Sequence, residues 1–536
     1  MTSQAKTIAQ LLQQQAEVFL DKPFLIFPER DGFVLSYRAL AQGCFQLAGW
    51  LQQVGILPGQ SVGLLLPNIP EFCLAYWGSM ALGAMAVPLN TLLKGSEVEF
   101  IVRNAQCRVI FTTPQYLPLL LPWLNDVSDV RHLVLIDDPS ALQGACLQAA
   151  LISAKEALSC VQVTVLSEVL KTRALSSLPE LLAQAPAEII YTSGTTGNPK
   201  GVVLSHQNLM VDAGYIRDWF QFEEQSRVLC ILPLFHVNGE VVTLMMPLVS
   251  GASVVLHRSF SASRFWQDIA QFDVHAFSTV PTILSILLAA KPQHWQKPTS
   301  LQFGICGAAP LPVEVHERFE TTFGVPIFEG YGLSETTCYS TFNPPDVTKR
   351  KLGTIGVAVG NEVAIWGSDH RPLPVGEVGE IVVRGQNVML GYFNNPDATA
   401  EAFRGLDGTK GEWFHTGDLG DCDADGFFRI RGRLKEMIIR GGENIYPREI
   451  DECLYRHPDV ANAATIGVPD TKYGEAVKSF VVLREGVLPS SELAAELLAY
   501  CGKHLADFKC PSVIVFVDDI PKGPTGKLLR RALKTL

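Results

Sequence analysis

Short apolar runs recur from about residue 60 to 340: "SVGLLLPN" (61–68), "RVIFTT" (108–113), "HLVLID" (132–137), "RVLCILPL" (227–234), "ASVVLH" (252–257) and "LQFGICG" (301–307). Segments of helical period separate them. Nearly all-apolar strands alternating with helices predict parallel sheets covered by helices. The stretch "MTSQAKTIAQLLQQQAEVF" predicts an amphipathic helix. "FCLAYWGSMALGAMAVPL" (72–89) approaches the length of a bilayer span, but its glycines, serine and late proline predict a buried helix followed by a strand. Past residue 350 the pattern changes to "GNEVAIW", "GEVGEIVVRG" and "GFFRIRGR", strands punctuated by Gly, Pro and Asp that predict a small antiparallel unit. Mixed α and β character then returns, with a helix opened by Pro447 and another beginning near Ser491. A joint near Lys435 divides the chain into residues 1–434 and 435–536.

Composition narrows the function classes. With 536 residues, 47% of them hydrophobic and 18% charged, the chain reads as a multidomain globular enzyme rather than a disordered or fibrous protein. A formal charge of -11 and the lack of strongly basic runs argue against a nucleic-acid partner. The 12 cysteines are scattered without a CxxC pair or metal-ligand spacing, which implies neither a zinc site nor a disulfide framework and suits a reducing cytoplasm. No secretory signal or transmembrane segment is expected, although peripheral contact with a membrane stays open. The terminal Lys534-Thr535-Leu536 is not the peroxisomal Ser-Lys-Leu.

One loop stands out chemically: "YTSGTTGNPKGVV", Tyr191 to Val203. It is not a Walker A loop, because Pro199 stands where the second glycine belongs, Gly201 follows Lys200, and a strand rather than a helix comes next. Glycines that admit close backbone approach, consecutive amides and three hydroxyls can nevertheless wrap a polyphosphate. An exposed hairpin has the same composition, so composition alone leaves both readings open.

The whole string closely resembles the signature of the adenylate-forming superfamily of acyl-CoA synthetases, peptide-synthetase adenylation domains and beetle luciferases. Further segments resemble that family in the same order: "LPLFHVNG" (232–239), "GYGLSETT" (330–337), "GEIVVRG" (379–385), "WFHTGDLG" (413–420), "RGRLKEMIIRGGENIYPREI" (431–450) and "PKGPTGKLLRR" (521–531). The resemblance covers about 190 to 531. It implies an α/β fold: a large N-terminal domain of two βα subdomains plus a small β-barrel-like subdomain, and a smaller mobile α+β C-terminal domain. It also implies ATP, Mg²⁺ and CoA as cofactors and co-substrates, in a ligase that forms an acyl-adenylate and then a thioester.

By the same resemblance, Thr192, Ser193, Gly194, Thr195, Thr196, Gly197 and Lys200 hold phosphates, while Thr196 and Glu335 support Mg²⁺. Tyr331 stacks on adenine, Asp418 accepts from the ribose and Arg433 assists. Gly307, Ala308, Ala309, Gly330, Gly332, Ser334 and Ile430 complete the nucleotide site. Lys527 is implied as the catalytic lysine of adenylation, with Glu335 and His236 as further catalytic candidates. Lys435 is implied as the hinge about which the C-terminal lobe turns, so that Arg440, Gly441, Gly442 and Glu443 replace Lys527 and line the thiol's approach.

The acyl pocket is expected from His236, Val237, Asn238, Gly239, Val280, Gly307 and Gly332. "TVPTILSILL" and "CGAAP" are small or aliphatic and carry no Arg or Lys, so an apolar acid of medium or long chain is expected, before an aromatic one. Glu240 has the charge to hold an ammonium unless it points elsewhere on a helix. "GGENIYPREI" resembles the CoA-ligase form, which places free CoA before a carrier-protein thiol as acceptor.

Overall fold

The computed structural model describes residues 5–138, 146–192, 199–405, 411–522 and 528–534. Its two large sheets lie in the first two thirds of the chain. In the nine-stranded sheet, Ile327–Tyr331, Phe303–Cys306, Ala276–Thr279, Arg227–Cys230, Ser253–Leu256 and Pro23–Phe27 run parallel in that order. Its edges are antiparallel: Phe33–Ser36 at one side, Thr341–Phe342 and Val357–Ala358 at the other. The eight-stranded sheet runs from Gln162–Val165 through His132–Leu135, Cys107–Thr112, Ser61–Leu65 and Met85–Pro88 to Pro186–Thr192, all parallel. Lys200–Ser205 and then Gly391–Tyr392 extend it antiparallel.

The expected elements form for the expected reasons. Ile8–Phe19 is a helix capped by Thr7, whose side chain accepts from Gln10 N, and it buries Ile8, Leu11 and Leu12. The apolar stretch becomes helix Pro70–Leu82 and strand Met85–Pro88. Every residue of that helix except Glu71 is buried, because it lies inside the main core beneath helix Tyr37–Gln53. Gly83 ends it in the left-handed conformation (φ 86°), the usual stop for a helix whose last carbonyls need partners. Among the described residues no helix is long and apolar enough to cross a membrane.

Glu362–Trp366, Gly379–Arg384, Phe414–Cys422 and Phe428–Arg433 form the small antiparallel sheet. Beyond it, the turn Leu434–Glu436 leads into a separate sheet with its own core. Glu443–Ile445, Ile438–Arg440, Gly474–Leu483 and Val460–Asp470 are antiparallel neighbours there, and Val513–Phe516 pairs parallel with Gly474–Leu483. The molecule is thus a large α/β domain carrying a smaller C-terminal α/β domain.

Candidate active site

Four adjacent parallel strands, Arg227–Cys230, Ala276–Thr279, Phe303–Cys306 and Ile327–Tyr331, end at one edge of the nine-stranded sheet. The segments that leave those ends carry His236 to Gly239, Val280, Gly307 to Pro310, and Gly332 to Glu335. Ligands of open α/β sheets bind beyond the carboxyl ends of strands, and these candidates converge there.

The acyl-pocket candidates are tightly constrained. A Cβ on Gly239 would collide with the Pro233 carbonyl, one on Gly307 with the Tyr339 hydroxyl and one on Gly332 with the Cys338 carbonyl. At Gly239 and Gly332 the obstacle is backbone, so only glycine fits there without backbone movement, whereas at Gly307 it is the Tyr339 side chain. Ser278 Oγ donates to Asn238 Oδ1 (2.7 Å), which leaves Asn238 Nδ2 buried without a partner. Tyr339 Oη and His236 Nε2 are also buried without partners. Burial pulls the His236 imidazole down to about 4, so it is neutral near pH 7. Val280 is buried, Val237 and Ala309 are half-buried, and Ala308 is exposed in a left-handed conformation (φ 66°) that strains a non-glycine residue.

In the 330–337 segment, Tyr331 ends its strand, and its hydroxyl donates to Asp418 Oδ2 (2.8 Å). Arg433 Nε lies 2.9 Å from Asp418 Oδ1, the two residues facing each other across adjacent strands. Burial alone would lower the Arg433 pKa, but Asp418 and Tyr331 outweigh it and the guanidinium is raised. Gly330 and Ser334 lie in the same run, and Ile430 pairs with Gly420 in the neighbouring sheet. Thr337 has φ 65° and ψ -60°, a turn that β-branched residues rarely adopt, and Cys338 N closes it on the Thr336 carbonyl (2.8 Å).

Asn387 holds this strained turn. Its Nδ2 donates to the carbonyls of Thr336 and Tyr339 (3.1 Å each), and its own carbonyl accepts from Thr337 Oγ1 (2.6 Å). Asp212, driven well above the usual carboxylate range by burial, accepts from Tyr339 N at 3.2 Å.

Glu335 and Lys200 meet at a residue that motif reasoning missed. Tyr392 Oη donates to Glu335 Oε1 (2.9 Å), and Lys200 Nζ sits 4.9 Å from the Tyr392 ring centre. Strand Gly391–Tyr392 brings it there by pairing with Lys200–Ser205, the strand that leaves the phosphate loop. Thr192 ends the strand that enters the loop and is half-buried. Ser193, Gly194, Thr195, Thr196 and Gly197 lie outside the described residues. Glu335 fits a Mg²⁺ ligand: one oxygen is fixed by Tyr392, and the half-buried group retains acceptor capacity on the other. Among the described residues no cluster of three metal-ligating side chains exists; Mg²⁺ is usually bound through one or two carboxylates together with substrate phosphates and water.

The C-terminal candidates fall into two groups. Lys435 is exposed in the turn Leu434–Glu436 between the two domains. Arg440, Gly441, Gly442 and Glu443 form a hairpin whose two-residue turn has φ 60° and 91°, which glycine adopts without strain. Arg440 Nη1 donates to the Phe508 carbonyl (2.8 Å), and its guanidinium lies 5.1 Å from the Tyr473 ring centre. Lys527 lies outside the described residues, but both ends of its segment are fixed. Lys522 and Leu528 form a β-bridge, and Arg530 is bound to Glu436 (3.1 Å), to the Thr465 carbonyl (3.2 Å) and to Asp451.

Glu240 is fully buried and faces Glu188.

Comparison with known proteins agrees with this geometry. The AMP-binding enzyme family matches residues 12–393, and its C-terminal domain matches residues 449–527. The chain is 39% identical to sulfoacetate–CoA ligase of Cupriavidus necator, covering 98% of this chain and 97% of that one. It is 33% identical to oxalate–CoA ligase of Arabidopsis thaliana over the same shares of the two chains. The crystal structure of the anthranilate CoA ligase AuaEII in complex with anthranoyl-AMP superposes with a TM-score of 0.86 at 28% identity, covering 99% of this chain and 96% of that one. The protein therefore belongs to the AMP-binding enzyme family, as an AMP-forming acid–thiol ligase that uses ATP, Mg²⁺ and CoA.

Proposed function

We propose that the protein joins CoA, through an acyl-adenylate, to a short acid that carries a second hydrogen-bond acceptor such as a sulfonate, carboxylate or hydroxyl. One observation carries the reading: His236 Nε2, Asn238 Nδ2 and Tyr339 Oη are buried without partners on the segments leaving the sheet edge. An apolar acyl tail would leave those groups unsatisfied, at about 1–3 kcal/mol each, whereas an acceptor-bearing acid satisfies them. The Tyr339 hydroxyl itself lies against Gly307, one of the acyl-pocket candidates. Two relatives bear the names of ligases for such acids, sulfoacetate and oxalate. This reading displaces the medium- or long-chain aliphatic acid expected from the composition of the pocket segments.

The site residues take the following roles. A carboxylate attacking the α-phosphate brings two anions together, so the site must first neutralise charge and align the reacting atoms. Thr192, Lys200 and the loop between them hold the β- and γ-phosphates. Glu335 and Thr196 hold Mg²⁺, which when bound neutralises charge on the phosphate oxygens. Asp418 keeps two lone-pair sites for ribose hydroxyls while Tyr331 and Arg433 fix its orientation. Neutral His236 orients the acyl group by a hydrogen bond without adding a proton acceptor stronger than the carboxylate.

Lys527 is the preorganised cation that bridges carboxylate and α-phosphate. For thioester formation the lobe turns about Lys435 and presents the Arg440–Glu443 hairpin in its place. Free CoA is the acceptor. A panel assay of pyrophosphate release, with and without CoA, tests the proposal. Short sulfonated, dicarboxylic and hydroxylated acids are expected to give the highest kcat/KM, and a preference for octanoate or palmitate would overturn it.

A further inference from the structure

Glu188 and Glu240 are both fully buried, and their carboxyls face each other within hydrogen-bonding reach. Glu188 lies on the strand entering the phosphate loop, four residues before Thr192. Glu240 lies in the π-helical segment Asn238–Met245, and its backbone N–H donates to the His236 carbonyl (3.0 Å). A π-helical turn inside a core frequently marks a functional site. The pair therefore links the strand that ends at Thr192 with the segment that follows His236.

The surroundings hold no counter-charge for two ions. Tyr76 Oη donates to Glu188 Oε2 (3.1 Å), and with both carboxyls ionised the other three oxygens have no donor. Helix Pro70–Leu82 contributes Tyr76 and Cys73, and the segment after Tyr331 contributes Cys338, with Asp212 of helix His206–Phe220 behind it. All of these are neutral or anionic. Two bare carboxylates in that setting repel strongly, so at least one proton must lie between them. Burial accordingly raises Glu188 to about 7 and holds Glu240 well above the ordinary carboxylate range.

We propose that Glu188 and Glu240 are positioning residues: a proton shared between them ties the strand leading into the phosphate loop to the turn bearing His236 and Asn238. The acyl pocket is thereby held in register with the phosphate site. Loss of that proton on the alkaline side drives the two elements apart and misaligns carboxylate and α-phosphate, an error that costs rate more than binding. The proposal rests on the acyl-pocket reading of His236 and Asn238.

The test is ATP–pyrophosphate exchange with the best acid of the panel, followed from about pH 6 to 9 alongside thermal melting. Wild-type kcat is expected to fall on the alkaline side, while KM for acid and for ATP stay level. Glu240→Gln, whose amide donates at every pH, should abolish that alkaline limb, and Glu188→Gln should do the same from the strand side. Glu240→Ala should lower kcat by about 10- to 100-fold with both KM values little changed. An alkaline limb in either amide variant equal to that of wild type, or an undiminished kcat in Glu240→Ala, would overturn the proposal. Should neither amide variant fold, infrared difference spectra of the Glu329→Gln protein decide: with Glu329 removed and Asp212 a constant background, protonated-carboxyl absorption must be lost with the same midpoint as kcat, and no loss across the alkaline limb overturns the idea. Absence of exchange with every acid would instead sink the ligase reading itself.

Discussion

Tyr392 donates its hydroxyl to Glu335 across 2.9 Å, and so fixes the orientation of the carboxylate assigned to Mg²⁺. The same ring lies beneath Lys200, so one side chain supports both the metal ligand and the phosphate-loop cation. Tyr392→Phe keeps the ring but removes the hydroxyl. Groups that orient a metal ligand typically matter by 10- to 100-fold, so the Mg²⁺ concentration at half-effect should rise by about tenfold or more. Calorimetric titration of ATP at several Mg²⁺ concentrations, without any acid, measures this apart from catalysis. Tyr392→Leu should additionally weaken ATP binding at saturating Mg²⁺ through loss of the cation–π contact, worth about 0.5–1 kcal/mol.

The strand ends that hold the site could be read directly, because apolar runs such as "LQFGIC" stop at glycine-rich segments such as "GAAP". Those two local signals need no long-range information. Tyr392 could not be read this way, since its role depends on a two-residue strand pairing with Val202 and Val203, far away in sequence. Asn387 escaped notice for the same reason: its value lies in a strained turn at Thr337 that no residue type announces. For Glu240 the sequence leaves two directions open, and the partner that it meets, Glu188, stands on a distant strand. Sequence period reports which face a residue takes and not what it meets there.

Asn238 should set acid preference. Its Oδ1 is taken by Ser278, so Nδ2 is the group left for substrate. Asn238→Leu removes that donor and adds apolar surface. A site built to hydrogen-bond a substrate loses discrimination steeply once the donor goes. Exchange kinetics should show kcat/KM for acceptor-bearing acids falling by about tenfold or more, with unsubstituted short acids much less affected.

Arg530 should anchor the segment that carries Lys527. Burial raises Asp451 to about 6, and Arg530 is its cationic partner in a nearly dry setting. Arg530→Met leaves that carboxylate unpaired, which typically costs about 3–5 kcal/mol. Urea unfolding should show a new transition at lower denaturant for the C-terminal domain. Asp451→Asn combined with Arg530→Met should recover much of the loss, and an undiminished single variant would show that the pair contributes nothing.

Glu329 provides a pH-dependent prediction with a definite sign. Burial raises its carboxyl to about 7, against an ordinary value of 4.5. Between those values the unfolded chain releases a proton that the folded one keeps, so this residue makes stability fall as pH rises from about 4.5 to 7. Glu329→Gln lacks the titration but can still accept from Leu311 N, which now donates to Glu329 Oε1 at 3.1 Å. Relative to wild type, the variant should gain on the order of 1–3 kcal/mol between pH 5 and 8, measured by urea unfolding at both. A pH-independent difference would place the Glu329 pKa near its ordinary value.

The two half-reactions should separate genetically if the lobe turns about Lys435. Lys527→Ala should nearly abolish acyl-adenylate formation, because losing a preorganised donor typically costs about 100- to 1000-fold, yet spare thioester formation from supplied adenylate. Gly442 tests the opposite face. It holds φ 91° at the tip of the Arg440–Glu443 hairpin, and apart from Gly441 and Glu443 no residue comes within 4 Å of where its Cβ would sit. Gly442→Val is therefore a strain of backbone alone, worth about 1–2 kcal/mol, applied to the loop assigned to the thiol's path. Its pyrophosphate exchange should match wild type while CoA-dependent thioester formation falls. Each variant removes one conformation's contribution and leaves the other intact, so equal loss of both half-reactions in either protein would contradict a turning lobe.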